Sequence, residues 1–138
     1  DAKYTQFIGA TGADVSAQRV FQNTPRNSGN IRATYDFNLP IMGSNGTLSL
    51  IGSLTHRGKT NQFETPNPVL DQEAYRLVDA SIVWTSRDNK VRIGLHGKNL
   101  NDTRYKVAGY YFPTLGEGSV TAFYGAPRTV TATLEYRF

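Results

Sequence analysis

The sequence predicts an all-β chain of antiparallel, up-and-down strands, and three observations support this fold class. Six segments alternate apolar and polar residues with a period of two, which is the pattern of a strand with two unlike faces. No apolar run approaches the length of a transmembrane helix. The connections between the segments alternate strictly between long and short, which is typical of outer-membrane barrels.

The first predicted strand, residues 2–10, is the weakest of the six. Tyr4 and Ile8 share one face, but Phe7 breaks the parity. The next four segments keep a clear alternation, and most have the length that a tilted strand needs to cross a bilayer. These four predicted strands cover residues 30–39, 47–57, 75–85 and 90–98.

The last predicted strand, residues 127–138, has the cleanest alternation and stops on an aromatic residue. A soluble domain usually frays at its C-terminus. The closing strand of an outer-membrane barrel instead ends with apolar side chains toward lipid and an aromatic girdle at the interface. The ending therefore resembles the C-terminal signal that the barrel-assembly machinery reads in such proteins. The residues assigned to this signal are Leu134, Tyr136 and Phe138.

The connections predict on which side of a membrane each loop lies. Residues 11–29, 58–74 and 99–126 form long connections, whereas residues 40–46 and 86–89 form short ones. A C-terminus on the periplasmic side places both short turns in the periplasm and all three long loops outside. A soluble β-sandwich would distribute its loop lengths more evenly. The barrel is therefore favoured over the sandwich.

Composition and charge exclude several other classes of protein. The chain has no cysteine, which argues against a disulfide-stapled domain and against thiolate metal sites. Its net charge of +4 is compatible with nucleic-acid binding, but Lys and Arg are scattered singly and form no basic run. We therefore expect no nucleic-acid partner.

The polar residues do not suggest an enzyme. His56 and His96 are the only histidines, and their strand parities point them to opposite faces. No Ser/His/Asp or Cys/His arrangement is present, so we expect no catalytic residue, no bound metal and no cofactor. Asp71 and Glu73 lie in a polar loop, where we expect a solvated acidic patch and not an acid–base pair.

An aromatic stretch within the longest loop is the best candidate for ligand contact. Exposed rings with interspersed glycines can stack on a sugar ring, a catechol or a corrin. The sequence also allows a hairpin that folds over its own aromatic residues, and this interpretation is favoured over ligand contact. The candidate ligand contacts are Tyr110, Tyr111 and Phe112.

Residues 91–105 resemble the penultimate strand of TonB-dependent outer-membrane receptors, where a strand runs into Asn-Leu, a small polar pair and a basic-Tyr step. Residues 125–128 resemble the Gly-x-Pro-Arg entry to the closing strand of that family. Residues 23–29 and 75–81 resemble the starts of two earlier barrel strands. The residues that match the main motif are Asn99, Leu100, Asn101, Asp102, Arg104 and Tyr105.

The resemblance implies that residues 1–138 are the C-terminal part, about six strands, of a large outer-membrane β-barrel. The family's barrel has about 22 strands around a plug domain, so the plug and most of the barrel would be missing here. The intact protein would lie in the bacterial outer membrane and import a scarce nutrient such as a siderophore, cobalamin or a glycan. Its partners would be the rest of its own barrel and plug, outer-membrane lipid, TonB acting through the plug, and the small-molecule or glycan substrate.

Two alternatives remain open at the level of sequence. A hairpin formed by residues 105–113 and 119–125 would raise the strand count to eight, the minimum for a complete small barrel with an adhesive or structural role. A soluble β-domain that binds carbohydrate or nucleic acid is the other alternative. If the chain is a piece of a large barrel, its open edges, expected at residues 2–10 and 130–138, should make the isolated chain self-associate.

Overall fold

The computed structural model describes residues 2–41, 43–114 and 118–138. Within these residues the chain forms one short 3-10 helix, Ser16–Gln18, and seven β-strands. The strands are β1 Ser28–Asn38, β2 Gly46–Arg57, β3 Tyr75–Ser86, β4 Val91–Lys98, β5 Lys106–Phe112, β6 Ser119–Tyr124 and β7 Thr129–Tyr136.

Strand pairing confirms the all-β, antiparallel fold class. Five strands form one sheet in the order β1-β2-β3-β4-β7, and β5 pairs with β6 in a separate two-stranded sheet. The described pairs β3–β4, β4–β7 and β5–β6 are all antiparallel. No helix within the described ranges is long and apolar enough to span a membrane.

The prediction of a strand at residues 2–10 is wrong. This segment forms only an isolated bridge between Ile8 and Asp14. The Asp14 carboxylate accepts the backbone N–H of Phe7 and of Ser16 through Oδ1, at 3.1 and 2.9 Å. These local bonds fold the segment back on itself, as Asp side chains do in turns. The edges of the five-stranded sheet are therefore β1 and β7, so the open edge expected at residues 2–10 is also wrong.

The hairpin that the eight-stranded alternative requires is present, but it does not join the main sheet. Strands β5 and β6 pair only with each other among the described residues. Since residues 2–10 form no strand either, the main sheet has five strands in the part of the chain that the structure describes. The strand count needed for that alternative is not reached.

The chain divides into two compact units. The sheet unit comprises the described residues within 29–56, 76–103 and 126–138, and contains the five-stranded sheet. The loop unit comprises residues 2–28, 57–75 and the described residues within 104–125, and contains the β5–β6 hairpin. Most of each long connection therefore belongs to the loop unit, and both short connections belong to the sheet unit.

The register of the sheet unit makes one face mainly apolar and the other mainly polar, with Val83 of the mixed row Val83–Gly94–Thr133 on the polar side. Residues directly opposite each other on neighbouring strands point to the same side of a sheet. Three apolar rows cross β3, β4 and β7 on one face: Ala80–Gly97–Val130, Ile82–Leu95–Ala132 and Trp84–Ile93–Leu134. Two polar rows cross the same strands on the other face: Ser81–His96–Thr131 and Thr85–Arg92–Glu135.

Candidate functional site

The apolar face of the sheet unit is the largest candidate surface, and most of its side chains are exposed. Among the described residues only Leu70, Val83 and Trp84 are buried hydrophobic side chains. Leu134 is 76% exposed, and Ile31, on the opposite edge strand, is 72% exposed. On the same face Phe37, Leu48 and Val91 are half-buried and Trp84 is buried. The other exposed large apolar side chains of this face are Tyr35, Leu50, Leu54, Val78, Ile82, Ile93, Leu95, Val130 and Tyr136.

The three residues assigned to the C-terminal signal lie together on this face. Strand β7 ends at Tyr136, and Phe138 continues its parity. The rings of Tyr136 and Phe138 meet edge to face, with centroids 5.2 Å apart. At the same end of the sheet, Trp84 is buried and its indole Nε1 donates to the Leu39 carbonyl at 2.8 Å. Aromatic residues thus border the apolar face where the short turns lie.

The opposite face of the sheet carries a hydrogen-bonded histidine. The ring nitrogens of His96 lie 3.1 Å from Ser81 Oγ and 3.1 Å from Thr133 Oγ1. These contacts join β3, β4 and β7 by side chains in addition to the backbone ladder. His56 lies on β2, and no group of three His, Cys, Asp or Glu residues in the described ranges is close enough to hold a metal ion.

Residues Asn99–Asp102, which begin the sequence motif, form a tight turn directly after β4. Asn99 and Asp102 both have a positive φ, 49° and 53°, a conformation that Asn and Asp tolerate better than other side chains. The Asp102 N–H donates to the Asn99 carbonyl at 2.8 Å and closes the turn. The motif therefore marks a backbone conformation as well as a set of side chains.

The buried side chain of Asn99 links the two ends of the longest connection. Its Nδ2 donates to the carbonyls of Thr103 and Ala126, at 3.0 and 3.1 Å, and its Oδ1 accepts the Thr103 N–H at 2.9 Å. Its own N–H donates to Asp79 Oδ1 at 2.8 Å. Asn99 thereby connects the segment that follows β4, the segment that precedes β7, and Asp79 of β3.

Asn101 and Leu100 continue the pairing of β3 beyond the end of β4. The Leu100 N–H donates to the Val78 carbonyl at 2.8 Å. The Asn101 side chain accepts the Val78 N–H at 3.0 Å and donates to the Arg76 carbonyl at 2.9 Å. The amide of Asn101 thus acts as a substitute for a backbone peptide and extends the ladder.

The other motif residues make equally local contacts. Asp102 accepts the Arg128 N–H at 3.2 Å and forms an ion pair with its guanidinium at 3.3 Å, which ties the turn to the start of the last strand. In the loop unit, the Arg104 guanidinium lies 4.1 Å from the centre of the Tyr124 ring. Tyr105 stacks on Tyr75 with centroids 4.6 Å apart. Asn99 and Asp102 therefore join the two ends of the longest connection. Leu100 and Asn101 pair with β3 instead, and Arg104 and Tyr105 make ring contacts within the loop unit.

The candidate ligand contacts do not form a single surface. Tyr110 and Phe112 lie on one face of the hairpin, where Phe123 joins them: the rings of Tyr110 and Phe123 meet at 90° with centroids 5.7 Å apart. Tyr111 pairs with Val120 and points to the opposite face. The register therefore separates Tyr111 from Tyr110 and Phe112 and adds Phe123 to their side; ligand contact by Tyr110, Tyr111 and Phe112 stays a prediction. We call Tyr110, Phe112 and Phe123 the aromatic face.

The loop unit is ordered by buried polar side chains, which corrects the expectation of a solvated acidic patch. Asp71 is only 7% exposed. Its carboxylate accepts Asn61 Nδ2 at 2.8 Å and the backbone N–H groups of Gln62 and Asn67 at 3.2 Å each. Glu73 is exposed and pairs with Lys59 at 2.6 Å. The pKa of Lys59 is raised, chiefly by its hydrogen bond to Glu73.

Comparison with protein-family models, with curated proteins and with solved structures finds no match for this chain. The features that bear on function are therefore those of the molecule itself: the exposed apolar face of the sheet unit, the turn at Asn99–Asp102, and the aromatic face of the hairpin. None of them brings together a nucleophile, a base and an oxyanion donor, which are the parts that nucleophilic catalysis needs.

Proposed function

We propose that this chain is part of a TonB-dependent outer-membrane receptor that imports a scarce nutrient. In this proposal the sheet unit is a segment of the membrane-spanning wall of a large barrel. The long connections lie on the external side and take part in capture of the substrate. The plug and the remaining strands, which the sequence given does not include, would complete the transport pathway and receive energy from TonB.

The contrast between the two faces of the five-stranded sheet carries the proposal. Fully burying one Val, Leu, Ile or Phe side chain is worth about 1.5–3 kcal/mol relative to leaving it in water. A row of such side chains on every strand of one face therefore requires an apolar environment. The opposite face is polar and hydrogen-bonded. Lipid outside and a polar lumen inside satisfy both faces at once.

The two edge strands support a partner that supplies further strands. Within the described residues β1 and β7 have a neighbour on one side only. An open edge leaves backbone N–H and C=O groups unpaired, which a membrane does not tolerate. In the proposal these edges pair with further strands of the same barrel. The aromatic end of β7 fits the signal read by the barrel-assembly machinery during that closure.

Fractionation of the full-length gene product in its native host tests the proposal. We expect a carbonate-resistant outer-membrane protein with heat-modifiable electrophoretic mobility. Deletion of the gene should abolish energy-dependent uptake of one nutrient by the host. A stable, soluble monomer that binds no apolar dye would contradict the proposal. A membrane-inserted gene product of only 138 residues would favour the small-barrel alternative instead.

A further inference from the structure

The aromatic face of the hairpin presents three rings to solvent from a supported position. Tyr110, Phe112 and Phe123 are 57%, 47% and 47% exposed. Their mutual contacts hold them in place, because Tyr110 lies 5.7 Å from Phe123 and 6.2 Å from Phe112 between ring centroids. Aromatic pairs at such separations contribute beyond the area they bury. The three rings are therefore held in position by one another while about half of each side chain stays exposed.

The reverse side of the hairpin contacts Leu70 and Gln72, which belong to the same unit. Leu70 is fully buried, and a Cβ atom at Gly109 would lie only 2.5 Å from its Cδ2. The Lys106 N–H donates to Gln72 Oε1 at 2.6 Å. The absence of a side chain at Gly109 lets the strand approach Leu70 closely. This contact supports the reverse side at Gly109 only, since Tyr111 and Val120 on that side are 45% and 37% exposed. The aromatic face differs in that its three rings lie together.

Hydroxyl groups alternate with the rings on the aromatic face. Thr121 is directly opposite Tyr110, and Ser119 is directly opposite Phe112. Tyr110 adds a phenolic hydroxyl. The surface therefore combines flat apolar rings with short polar groups, which suits a ligand that has an apolar side and several hydroxyls.

No charged side chain lies on the aromatic face among the described residues. Residues 107–112 and 119–124 contain no Lys, Arg, Asp or Glu. The two cations at the base are already engaged, since Lys106 Nζ donates to the Val69 carbonyl at 2.7 Å and Arg104 lies over the Tyr124 ring. An anionic ligand such as a ferric catecholate would find no cation here to pair with. The chemistry of the face favours a neutral ligand.

We infer that the aromatic face binds a neutral oligosaccharide, with sugar rings stacked on Tyr110, Phe112 and Phe123. The apolar C–H side of a hexose matches an exposed ring, and its hydroxyls match Thr121 and Tyr110. This inference rests on the proposed function and narrows its substrate to a glycan. The three rings on one hairpin face would contact successive positions of a short glucan.

Titration of the purified full-length protein in detergent with maltohexaose and with cellohexaose tests the inference. We expect saturable binding of at least one of them, and Tyr110→Ala, Phe112→Ala and Phe123→Ala should each raise the Kd about tenfold. Tyr111→Ala is the matched control, because it removes the same side chain from the opposite face, and its Kd should stay within about twofold. Tyr110→Phe keeps the ring and should retain most of the affinity.

Three outcomes would overturn the inference: no binding of either glucan, an equal loss for Tyr111→Ala, or binding of an anionic ferric tris-catecholate that depends on the same three rings. Heat-modifiable mobility of each variant shows that the barrel is assembled. If the protein is assembled in the outer membrane but binds neither glucan, the glycan assignment is rejected and the receptor proposal is unaffected. A protein found in the soluble fraction rejects the receptor proposal, whatever its sugar binding.

Discussion

The two units of this chain are ordered by different physical means. In the sheet unit, backbone ladders align rows of side chains, and one face consists of exposed apolar residues. In the loop unit, buried polar side chains hold the backbone: Asp71 accepts three hydrogen bonds, and the Gln72 side chain accepts the Lys106 N–H and donates to the Glu73 carbonyl. The sheet depends on a pattern repeated along each strand, whereas the loops depend on individual residues.

This difference determines how the effect of a single substitution is predicted in each unit. A change on the sheet is judged by the face on which it falls, since every residue of one parity shares an environment. A change in the loop unit is judged by the particular donors and acceptors that it removes. The following substitutions are ordered from the largest expected effect to the smallest, and each compares a residue with a matched control.

The largest effect is expected for Leu95→Arg in the sheet unit. Leu95 lies in the middle of the apolar rows, between Ile82 and Ala132. An arginine on the lipid face near the middle of a membrane costs about 2–4 kcal/mol. Thr131→Arg is the control, because Thr131 is on the polar face opposite His96. We expect the yield of heat-modifiable full-length protein to fall for Leu95→Arg only; equal losses would reject the assignment of the faces.

The next effect is expected for Asp71→Ala in the loop unit. Removing this carboxylate leaves the backbone N–H groups of Gln62 and Asn67 without their acceptor, and hydrogen bonds to a charged group contribute about 1.5–3 kcal/mol. Hydrogen exchange at these two amides should become faster. Glu73→Ala removes an exposed carboxylate nearby and should leave both amides protected. The same acceleration in both variants would argue against a specific role for Asp71.

A smaller effect is expected for Gly125→Ala at the base of the hairpin. A Cβ atom at this position would overlap the Tyr105 ring, which stacks on Tyr75. Overpacking of this kind costs about 1–3 kcal/mol. Limited proteolysis should then cut residues 104–125 sooner. Gly29→Ala is the control, since its added Cβ meets nothing within 4 Å. Unchanged proteolysis of Gly125→Ala would show that the aromatic stack is not needed.

The smallest effect is a pH dependence of one turn in each unit. The hydrogen bond from the Ser86 hydroxyl holds the pKa of Asp88 below its usual value, and the N–H of Ser16 does the same for Asp14. Because both folded-state pKa values are lowered, the stabilisation is present above the ordinary pKa of about 3.9. It is lost as the pH falls through the lowered value.

NMR titration of the amides at Lys90 and Ser16, which donate to these carboxylates, measures this dependence. We expect each amide shift to titrate below the ordinary Asp range. Asp88→Asn should abolish the titration at Lys90 and leave that at Ser16 unchanged. Asp14→Asn should do the reverse. Titration at or above the ordinary Asp value would contradict the lowered pKa.

The sequence by itself determined the strands of the sheet unit. The segments predicted at residues 30–39, 47–57, 75–85 and 90–98 match β1 to β4 to within two residues at each end, and β7 lies inside the predicted closing strand. Alternation is a local property, so it can be read without knowing the partner strand. The alternation also assigned Ala80, Ile82, Trp84, Ile93, Leu95, Val130, Ala132 and Leu134 to one face, which the register of β3, β4 and β7 confirms. The lipid contact, the receptor family and the location in the outer membrane stay predictions.

Tertiary structure alone decided the loop unit and the composition of the candidate site. Phe123 joined Tyr110 and Phe112 because of the β5–β6 register. Asp71 became buried because Asn61, Gln62 and Asn67 converge on it. Residues 2–10 form no strand because local bonds to Asp14 fold the segment back on itself. Each of these outcomes depends on contacts between residues that have no fixed spacing in sequence, and a periodic pattern carries no information about such contacts.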